Sequence, residues 1–307
     1  MRIAIMGGGF IGKNLAKHYT DLGAYVDVLD KDDFSFLDSQ AVRNYFSTHE
    51  KYDVVFFSAY IGGTRATGYN DGTDDSVIVN NVRMFDNIGN VLDPTTKYIY
   101  FGSGAQYSKD KDLKRVKEEE LGIDIPTNEY GYAKYLCAKM IEGKENFYDV
   151  VLFGIYGQNE DPYIRFITNS CYKAILDLPI IINQDVVFDY LYIKDLFKIC
   201  DKIIYGKSVK YRVFNATPNQ SISLKEIAEI IKKISKKDID IIINNPGLNF
   251  EYTGSNEKLI ENFGDIGFTS YEDGIKEIYD FCATHMELID EQKVRDDAAI
   301  KNCVTKK

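Results

Sequence analysis

One tyrosine and one lysine in this chain have the spacing that proton transfer on a helix requires. Tyr130 and Lys134 are four residues apart, so on a helix both side chains share one face. An ammonium group held beside a phenol stabilises the phenolate form. The pair therefore predicts a tyrosine that donates a proton to a substrate oxygen or accepts one from it.

The spacing alone is not specific, because this tyrosine-rich chain repeats it. Tyr130 differs in its context: Ser103 follows a predicted strand at 97–101, and ligands of parallel sheets lie at the carboxyl ends of the strands. We predict that Ser103 hydrogen-bonds the oxygen that Tyr130 protonates. The alternative is a surface pair on a helix and an unrelated turn serine. The other pairs with this spacing are Tyr107/Lys111, Tyr135/Lys139 and Tyr190/Lys194.

Glycines near the N-terminus form a second pattern. Gly7, Gly9 and Gly12 make G-x-G-x-x-G between an apolar run and a helical pattern. Such glycines permit a tight turn, let the backbone approach a pyrophosphate and let the helix pack closely on the strand. A second predicted strand, 25–29, is in the place that a dinucleotide-binding unit requires. The sequence predicts nicotinamide cofactor binding; the alternative is a glycine turn in another α/β fold.

Asp30 bears on which nicotinamide cofactor is bound. It follows the second strand, close to the spacing of the acid that hydrogen-bonds the adenosine ribose. A carboxylate repels a 2′-phosphate, so Asp30 favours NAD. Lys31 comes immediately after and could offset that repulsion, so NADP stays open.

The composition excludes several classes of protein. The 307 residues are 45% hydrophobic and 27% charged, which rules out a disordered chain. Lys and Arg number 37 against 47 Asp and Glu, a net charge of −10, so a nucleic-acid partner is not expected. Neither a membrane-spanning run nor a signal peptide is evident, and we predict a cytoplasmic protein. Dispersed cysteines argue against a disulfide framework or a metal site: Cys137, Cys171, Cys200, Cys282 and Cys303.

Strand and helix signals alternate along the chain and must position these residues. Repeated βα units predict an α/β fold with a Rossmann-type doubly wound parallel sheet. Residues 156–185 break the rhythm and are predicted to be an irregular insertion over the sheet edge, and Ser223 with Glu226 forms a capping box that begins a helix. Further helices are predicted at 38–49, 77–91 and 128–147, and further strands at 53–58, 97–101 and 149–153.

Taken together, these motifs resemble the extended short-chain dehydrogenase/reductase family, in its NAD-dependent epimerase/dehydratase branch. The residues that carry the resemblance are Gly9-Phe10-Ile11-Gly12, Ser103, Tyr130 with Lys134, and Gly154-Ile155-Tyr156-Gly157. Further segments are similar to nucleotide 4-keto-sugar reductases of the GDP-fucose synthase type: 36–42, the Gly62-Gly63 pair, Asn81 with Asn87, and 126–130.

The resemblance implies hydride exchange between a nicotinamide and a sugar carbon, with Tyr130 as the acid or base. Lys134 would also hold the nicotinamide ribose. It further implies a homodimer formed through the helices at 81–92 and 128–147. The residues expected to contact the cofactor are Gly7, Gly9, Phe10, Ile11, Gly12, Asp30, Lys31, Ser58, Ala59, Asn81, Tyr130 and Lys134.

The resemblance also implies a smaller, discontinuous C-terminal substrate domain. We predict an NAD(P)-binding domain at 1–155 plus 186–215, a nucleotide-sugar-binding domain at 156–185 plus 216–284, and a loosely held charged tail at 285–307. Many relatives carry an arginine for the nucleotide diphosphate where this chain has Phe188. We therefore predict Arg165 as the cation, with Ala105 and Gly154 as further substrate contacts.

Departures from the family pattern narrow the predicted activity. Dehydratases carry acidic residues directly after the catalytic serine or threonine, whereas Gly104 and Ala105 stand there in this chain. Fucose synthase carries a cysteine at the Ala105 position. What is left is the chemistry of serine, tyrosine and lysine alone. We predict NAD(P)H-dependent reduction of a nucleotide-linked 4-keto-6-deoxy sugar, in surface-polysaccharide precursor synthesis. The alternatives are a 4-epimerase with tightly bound NAD and a silent cofactor-binding regulator, which the intact residue set disfavours.

Overall fold

The computed structural model describes residues 1–62, 76–109, 111–206, 209–303 and 305–306. The strands are β1 (Arg2–Met6), β2 (Tyr25–Leu29), β3 (Val54–Phe57), β4 (Lys97–Ser103), β5 (Leu113–Val116), β6 (Phe147–Leu152), β7 (Gly154–Tyr156), β8 (Ile180–Asp185), β9 (Val187–Phe188), β10 (Tyr190–Tyr192), β11 (Val213–Asn215), β12 (Ile222–Ser223), β13 (Ile241–Leu248) and β14 (Tyr252–Gly254). The α-helices are α1 (Phe10–Asp21), α2 (Ser39–Thr48), α3 (Ser76–Gly89), α4 (Glu129–Ile141), α5 (Phe166–Ile175), α6 (Ile193–Tyr205), α7 (Leu224–Ser235), α8 (Glu257–Phe263), α9 (Tyr271–Thr284) and α10 (Glu291–Asp296).

Six parallel strands form the main sheet in the order β11-β6-β4-β3-β1-β2. The chain moves outward from β1 to β2 on one side and then from β3 to β11 on the other. This reversal of direction is the switch point of a doubly wound sheet, and ligands bind outside the carboxyl ends of the strands there. The predicted α/β class with a Rossmann-type parallel sheet is confirmed.

The strands of this sheet are apolar on both faces, because helices cover both sides. Ile3 and Ile5 of β1 pack into the core with α1 and α6, whereas Ala4 and Met6 pack into the core with α2, α3 and α4. All four side chains are fully buried. The alternation fixes the register of β1, since a shift by one residue would exchange the two faces.

Helix α4 begins where predicted but ends earlier. The Asn128 side chain caps it by accepting the Gly131 N–H at 2.8 Å. The helix ends at Ile141, not at 147 as expected, because Gly143 turns the chain with a positive φ of 78°. The apolar residues after this turn, from Phe147 on, continue as β6.

The segment 156–185 is more regular than expected, since it contains helix α5 and strand β8, which pairs with β13. Buried polar residues among the apolar ones concealed helix α5. Two of these polar side chains have hydrogen-bond partners: Thr168 donates to Glu160 at 2.6 Å and Asn169 donates to the Pro162 carbonyl at 2.9 Å. The prediction of an irregular insertion is wrong at this point.

The charged residues after 285 are held firmly, in contrast to the loose tail expected. Val294 of α10 is fully buried, and Asp297 forms a buried ion pair with Lys173 of α5. Further on, Lys306 pairs with Asp112 at 3.1 Å. The many charged residues of this segment concealed one buried apolar residue, Val294, and one buried ion pair, Asp297 with Lys173. The division into domains at the residues named above stays a prediction.

Candidate active site

The glycine turn after β1 is built so tightly that two of its positions exclude a side chain. Gly7 has a φ of 109°, and a Cβ there would lie 2.7 Å from the Ala59 backbone nitrogen. A Cβ on Gly12 would lie 2.0 Å from the Gly7 carbonyl oxygen. The Ser58 hydroxyl at the end of β3 donates to that same carbonyl at 2.9 Å. Ser58 and Ala59 therefore form the floor of the turn.

The first turn of α1 presents backbone N–H groups without a capping side chain. Gly9 is the N-cap and provides no side-chain acceptor for Phe10, Ile11 and Gly12. A Cβ added at Gly9 would meet nothing within 4 Å, so this position faces open space. Free N–H groups at a helix N-terminus bind anions, and a pyrophosphate is the anion that this motif accommodates.

Asp30 stands beside the glycine turn, at the end of β2. Its Oδ2 lies 3.6 Å from the position of a Cβ on Gly8, and its Oδ1 accepts the Asp32 N–H at 2.9 Å. Lys31 is exposed. A carboxylate next to an anion-binding helix terminus matches the ribose and pyrophosphate of a dinucleotide, so these residues fit a nicotinamide cofactor.

Ser103 ends β4 and caps a short 3₁₀ turn over residues 104–107. Its Oγ accepts the Ala105 N–H at 3.2 Å and lies 3.4 Å from the Tyr252 hydroxyl. A Cβ on Gly104 would lie 2.6 Å from the Phe153 ring and 2.8 Å from the Tyr252 hydroxyl. The serine is thus held at the carboxyl end of the strand, with its oxygen accepting one backbone donor and its hydroxyl within hydrogen-bond distance of the Tyr252 hydroxyl.

The start of α4 packs directly on this serine turn. A Cβ on Gly131 would lie 2.7 Å from the Ala105 carbonyl oxygen. Lys134 Nζ donates to the Phe101 carbonyl of β4 at 2.8 Å and lies 5.9 Å from the centroid of the Tyr130 ring. The structure therefore places the predicted serine, tyrosine and lysine on two elements that are in contact. Both lie at the carboxyl ends of the strands of the main sheet.

Asn81 fixes the segment that follows β3. Its side chain donates to the Ile61 and Val77 carbonyls at 2.6 and 2.7 Å and accepts the Ile61 N–H at 3.0 Å. Ala59, Tyr60, Asn81 and Lys134 line one small cavity. Asn81 thus shapes the wall beside Lys134, where the nicotinamide end of a cofactor is expected. Of the Gly62-Gly63 pair, Gly63 lies outside the described residues.

Two groups near the serine were missed by the sequence analysis. Tyr252 was missed because it comes from β14, 149 residues away from Ser103, and nothing local distinguishes it among 23 tyrosines. Asp149 is fully buried in β6, and Gln106 Nε2 lies 3.4 Å from its Oδ2. Its signal was present in the sequence, since it is a charged residue inside an otherwise apolar strand.

The predicted substrate residues are less closely connected. Arg165 is exposed at the start of α5. Its positive charge opposes the rise that burial causes in the pKa of Glu160. Ala105 is buried, and Gly154 of β7 lies against Tyr190, whose ring carbon would be 2.8 Å from a Cβ there. The Phe188 ring packs on the rings of Tyr190 and Tyr252, with distances of 5.2 and 5.6 Å between the ring centroids. The roles of Arg165, Ala105 and Gly154 toward a substrate stay predictions.

No helix within residues 1–62, 76–109, 111–206, 209–303 and 305–306 has the length and apolarity to cross a membrane. No group of three or more His, Cys, Asp or Glu side chains in that part of the chain is arranged to hold a metal ion.

Solved structures with the same fold include nucleotide-sugar enzymes of two kinds. UDP-glucose 4-epimerase from Thermotoga maritima, solved with UDP-glucose, is 20% identical with a TM-score of 0.75, covering 94% of this chain and 100% of that one. A GDP-mannoheptose C4 reductase from Campylobacter jejuni with NADP bound is 21% identical with a TM-score of 0.73, covering 91% and 97%. A dTDP-4-dehydrorhamnose reductase from Clostridium acetobutylicum is 18% identical with a TM-score of 0.74, covering 92% and 99%.

The sequence itself matches a family model over most of its length. No curated protein matches the chain. The model described as the NAD dependent epimerase/dehydratase family matches residues 3–217, a range that contains the glycine turn, Ser103, Tyr130 and Lys134. The chain belongs to the NAD dependent epimerase/dehydratase family and is an NAD(P)-dependent enzyme of the extended short-chain dehydrogenase/reductase type.

Proposed function

We propose that this enzyme reduces the C4 keto group of a nucleotide-linked 4-keto-6-deoxy sugar with NAD(P)H. One observation carries the proposal: the start of α4, which carries Tyr130, packs on the serine turn, where a Cβ on Gly131 would lie 2.7 Å from the Ala105 carbonyl oxygen, while Gly104 and Ala105 after the serine have no group that transfers a proton. Dehydration and inversion beside a carbonyl need a further acid or base at the sugar carbon. Hydride exchange at a single carbon needs none.

Each residue of the trio has a separate task in this reaction. A nicotinamide held beside Lys134 would supply the hydride for the carbonyl carbon. Tyr130 gives its proton to the carbonyl oxygen as negative charge develops there, so it starts the reaction protonated. Ser103 donates a hydrogen bond to the same oxygen. Its Oγ accepts the Ala105 N–H, and this contact holds the hydroxyl in place. Lys134, anchored on the Phe101 carbonyl, places a positive charge beside the phenol and is proposed to hold the cofactor ribose.

The solved structures support a nucleotide sugar as the substrate, and two of the three described above are C4 or 4-dehydro-sugar reductases. The competing function is a 4-epimerase, which the likeness to UDP-glucose 4-epimerase favours and which uses the same trio. An epimerase oxidises and then re-reduces its sugar, so it consumes no cofactor. The two functions therefore differ in cofactor balance.

The test measures that balance with a panel of nucleotide-linked 4-keto sugars. Loss of NADH or NADPH equal to the alcohol formed supports the reductase. Product that forms without net loss of cofactor would refute it in favour of the epimerase. Tyr130→Phe should abolish turnover while cofactor binding is kept. Tyr132→Phe, on the same helix and stacked on Tyr135, is the matched control and should keep full activity.

For the cofactor itself, we propose that NAD(H) is preferred over NADP(H). Asp30 supports this, because its carboxylate lies beside the glycine turn, where a 2′-phosphate would meet a like charge. The exposed Lys31 is the one neighbour in the sequence that opposes the preference.

We also propose that two copies associate through α3 and α4, as the family resemblance implies. A groove beside these helices is lined by apolar residues, among them Val79, Val82, Leu136 and Met140, and also by polar ones that include Arg83 and Asp86. Val79 is 47% exposed, so its side chain is available to a second copy. Val79→Asp is expected to shift the chain from dimer to monomer in light scattering coupled to size exclusion. A wild-type chain that is monomeric at micromolar concentration would contradict the proposal.

A further inference from the structure

Asp149 is a buried acid in the main sheet, and it has no part in the reaction proposed for Ser103, Tyr130 and Lys134. Asp149 is fully buried in β6, and its Oδ1 has no hydrogen-bond partner among the described residues. A buried carboxylate without full compensation is costly, so the site favours the neutral form. Burial raises the pKa of Asp149 to about 7, and the Gln106 amide and Lys134 ammonium oppose that rise. The acid therefore changes charge in the pH range in which enzymes work.

Asp149 is directly connected to the backbone that carries Ser103. A Cβ on Gly102 would lie 2.1 Å from Asp149 Oδ1, so the acid occupies the space that a side chain at 102 would need. Gln106 contacts Asp149 through its amide nitrogen, and its Oε1 lies 3.5 Å from the Ser103 backbone nitrogen, which donates to it. One amide thus joins the buried acid to the catalytic serine.

The Asp149 carboxylate lies against Gly102, the residue next in the chain to the one that holds Lys134. Phe101, whose carbonyl accepts from Lys134, immediately precedes Gly102 on β4. Lys134 is the cation among the titratable groups of the described elements that surround Asp149. The others are Cys137 from α4, Tyr100 from β4, Tyr107 from the serine turn and Glu118 from a neighbouring 3₁₀ turn.

We propose that Asp149 is a positioning residue that tunes the Tyr130–Lys134 pair through its own charge. When Asp149 is ionised, its negative charge offsets part of the field of Lys134 at the phenol. Tyr130 then keeps its proton to higher pH, in the state needed to reduce a carbonyl. When Asp149 is neutral, the field of Lys134 acts alone and favours the phenolate. That this effect favours the reaction rests on the proposed function. The effect of the Asp149 charge on Tyr130 does not depend on that function.

The first measurement is the pH profile of keto-sugar reduction, or of epimerisation if that is the activity found. Asp149→Asn removes the charge and keeps the shape. The alkaline limb of the profile should move to lower pH by about 0.5 to 1 pH unit. The matched control is Glu160→Gln: Glu160 is also buried, and burial also raises its pKa to about 7, but it bonds Thr168 of α5. Its alkaline limb should coincide with that of the wild type.

A second measurement needs no substrate. The ultraviolet absorbance of tyrosinate is followed against pH for each chain and for the same chain carrying Tyr130→Phe, and the difference isolates the ionisation of Tyr130. Asp149→Asn should move this titration to lower pH. If the wild type reduces no keto sugar, the proposed function fails while this titration still decides the role of Asp149.

Thermal unfolding against pH completes the comparison. Folded Asp149 keeps its proton up to about pH 7, whereas the unfolded chain releases it near pH 4, so stability falls as pH rises between the two. Both Asp149→Asn and Glu160→Gln should flatten this decline. If both flatten it and the two Tyr130 titrations stay unchanged or shift equally, Asp149 is a structural acid only and the proposal is overturned.

If Asp149→Asn does not fold, Gln106→Met provides the same test. Loss of the amide donor favours the neutral acid, so the alkaline limb and the Tyr130 titration should again move to lower pH. An unchanged profile in Gln106→Met would contradict the coupling.

Discussion

At the scale of single residues, the hydroxyl of Tyr252 is the least expected part of the site. It lies 3.4 Å from Ser103 Oγ, and its ring packs on Phe153 at 5.0 Å. A hydroxyl at this distance can orient Ser103, the serine proposed to hydrogen-bond the substrate oxygen. We therefore predict that Tyr252 is a positioning residue for Ser103.

Tyr252→Phe keeps the packing and removes the hydroxyl. A single hydrogen bond contributes about 0.5 to 1.5 kcal/mol, so we expect kcat to fall roughly twofold to twelvefold with little change in KM. Tyr107→Phe is the control, because the Tyr107 hydroxyl donates to Asn215 at 2.9 Å in the same aromatic cluster without reaching Ser103. Steady-state kinetics should separate the two variants, and equal losses of kcat would contradict the role of Tyr252.

Asp30 provides the second prediction at this scale. Asp30→Asn keeps the acceptor for the Asp32 N–H but removes the charge. A hydrogen bond to a charged group is worth about 1.5 to 3 kcal/mol, so NADH affinity should fall roughly tenfold to a hundredfold. NADPH affinity should rise as the repulsion disappears. Fluorescence titration with both cofactors measures this, with Asp32→Asn as the control. Unchanged affinities would show that Asp30 does not face the ribose.

At the scale of elements, two glycines between β1 and α1 are predicted to have different roles. Gly12 is needed for the stability of the fold, and Gly9 leaves room for the cofactor. Gly12→Ala places a methyl group against the Gly7 carbonyl, a backbone atom that cannot move aside. Overpacking of this kind costs about 1 to 3 kcal/mol, so the thermal midpoint should fall clearly. Gly9→Ala meets nothing within 4 Å and should leave the midpoint nearly unchanged.

Cofactor affinity should respond differently. The Gly9 methyl group would occupy the space in front of the uncapped helix terminus, so NADH should bind more weakly to a fully folded Gly9→Ala variant. Calorimetry and cofactor titration on the two variants check both statements. A Gly9→Ala chain with wild-type affinity would contradict the location of the pyrophosphate.

The elements also show why part of the site was predictable. Ser103, Tyr130 and Lys134 are found from local rules: the end of an apolar strand, the start of a helix and the spacing of four residues. Tyr252 has no such rule, since a strand of three residues from the C-terminal part brings it to the serine. Helix α5 escaped prediction because its buried polar residues look like surface residues until their partners are known. Composition cannot reveal a partner that is distant in the chain.

At the scale of the whole molecule, the last residues are attached through one buried ion pair. Lys173→Met leaves Asp297 buried without its cation, and breaking such a pair costs about 3 to 5 kcal/mol. The exposed pair of Lys232 and Asp238 is the control, since surface pairs contribute about 0 to 1 kcal/mol. Denaturant unfolding of Lys173→Met and Lys232→Met measures the difference. Equal stabilities would show that the ion pair of Lys173 and Asp297 does not contribute to the stability of the fold.

The contact between Tyr252 and Ser103 also has a consequence for biosynthesis. Five of the six strands of the main sheet, all but β11, and helices α1 to α4 are complete once residue 152 has left the ribosome, whereas α6 and β11 follow later. Domains tend to fold from the N-terminus during synthesis, so a nascent chain of this length already contains the glycine turn and the whole proton-transfer trio. Its serine, however, stays open to water until residue 252 emerges. The partly made protein is thus expected to complete its glycine turn well before the contact between Tyr252 and Ser103 can form.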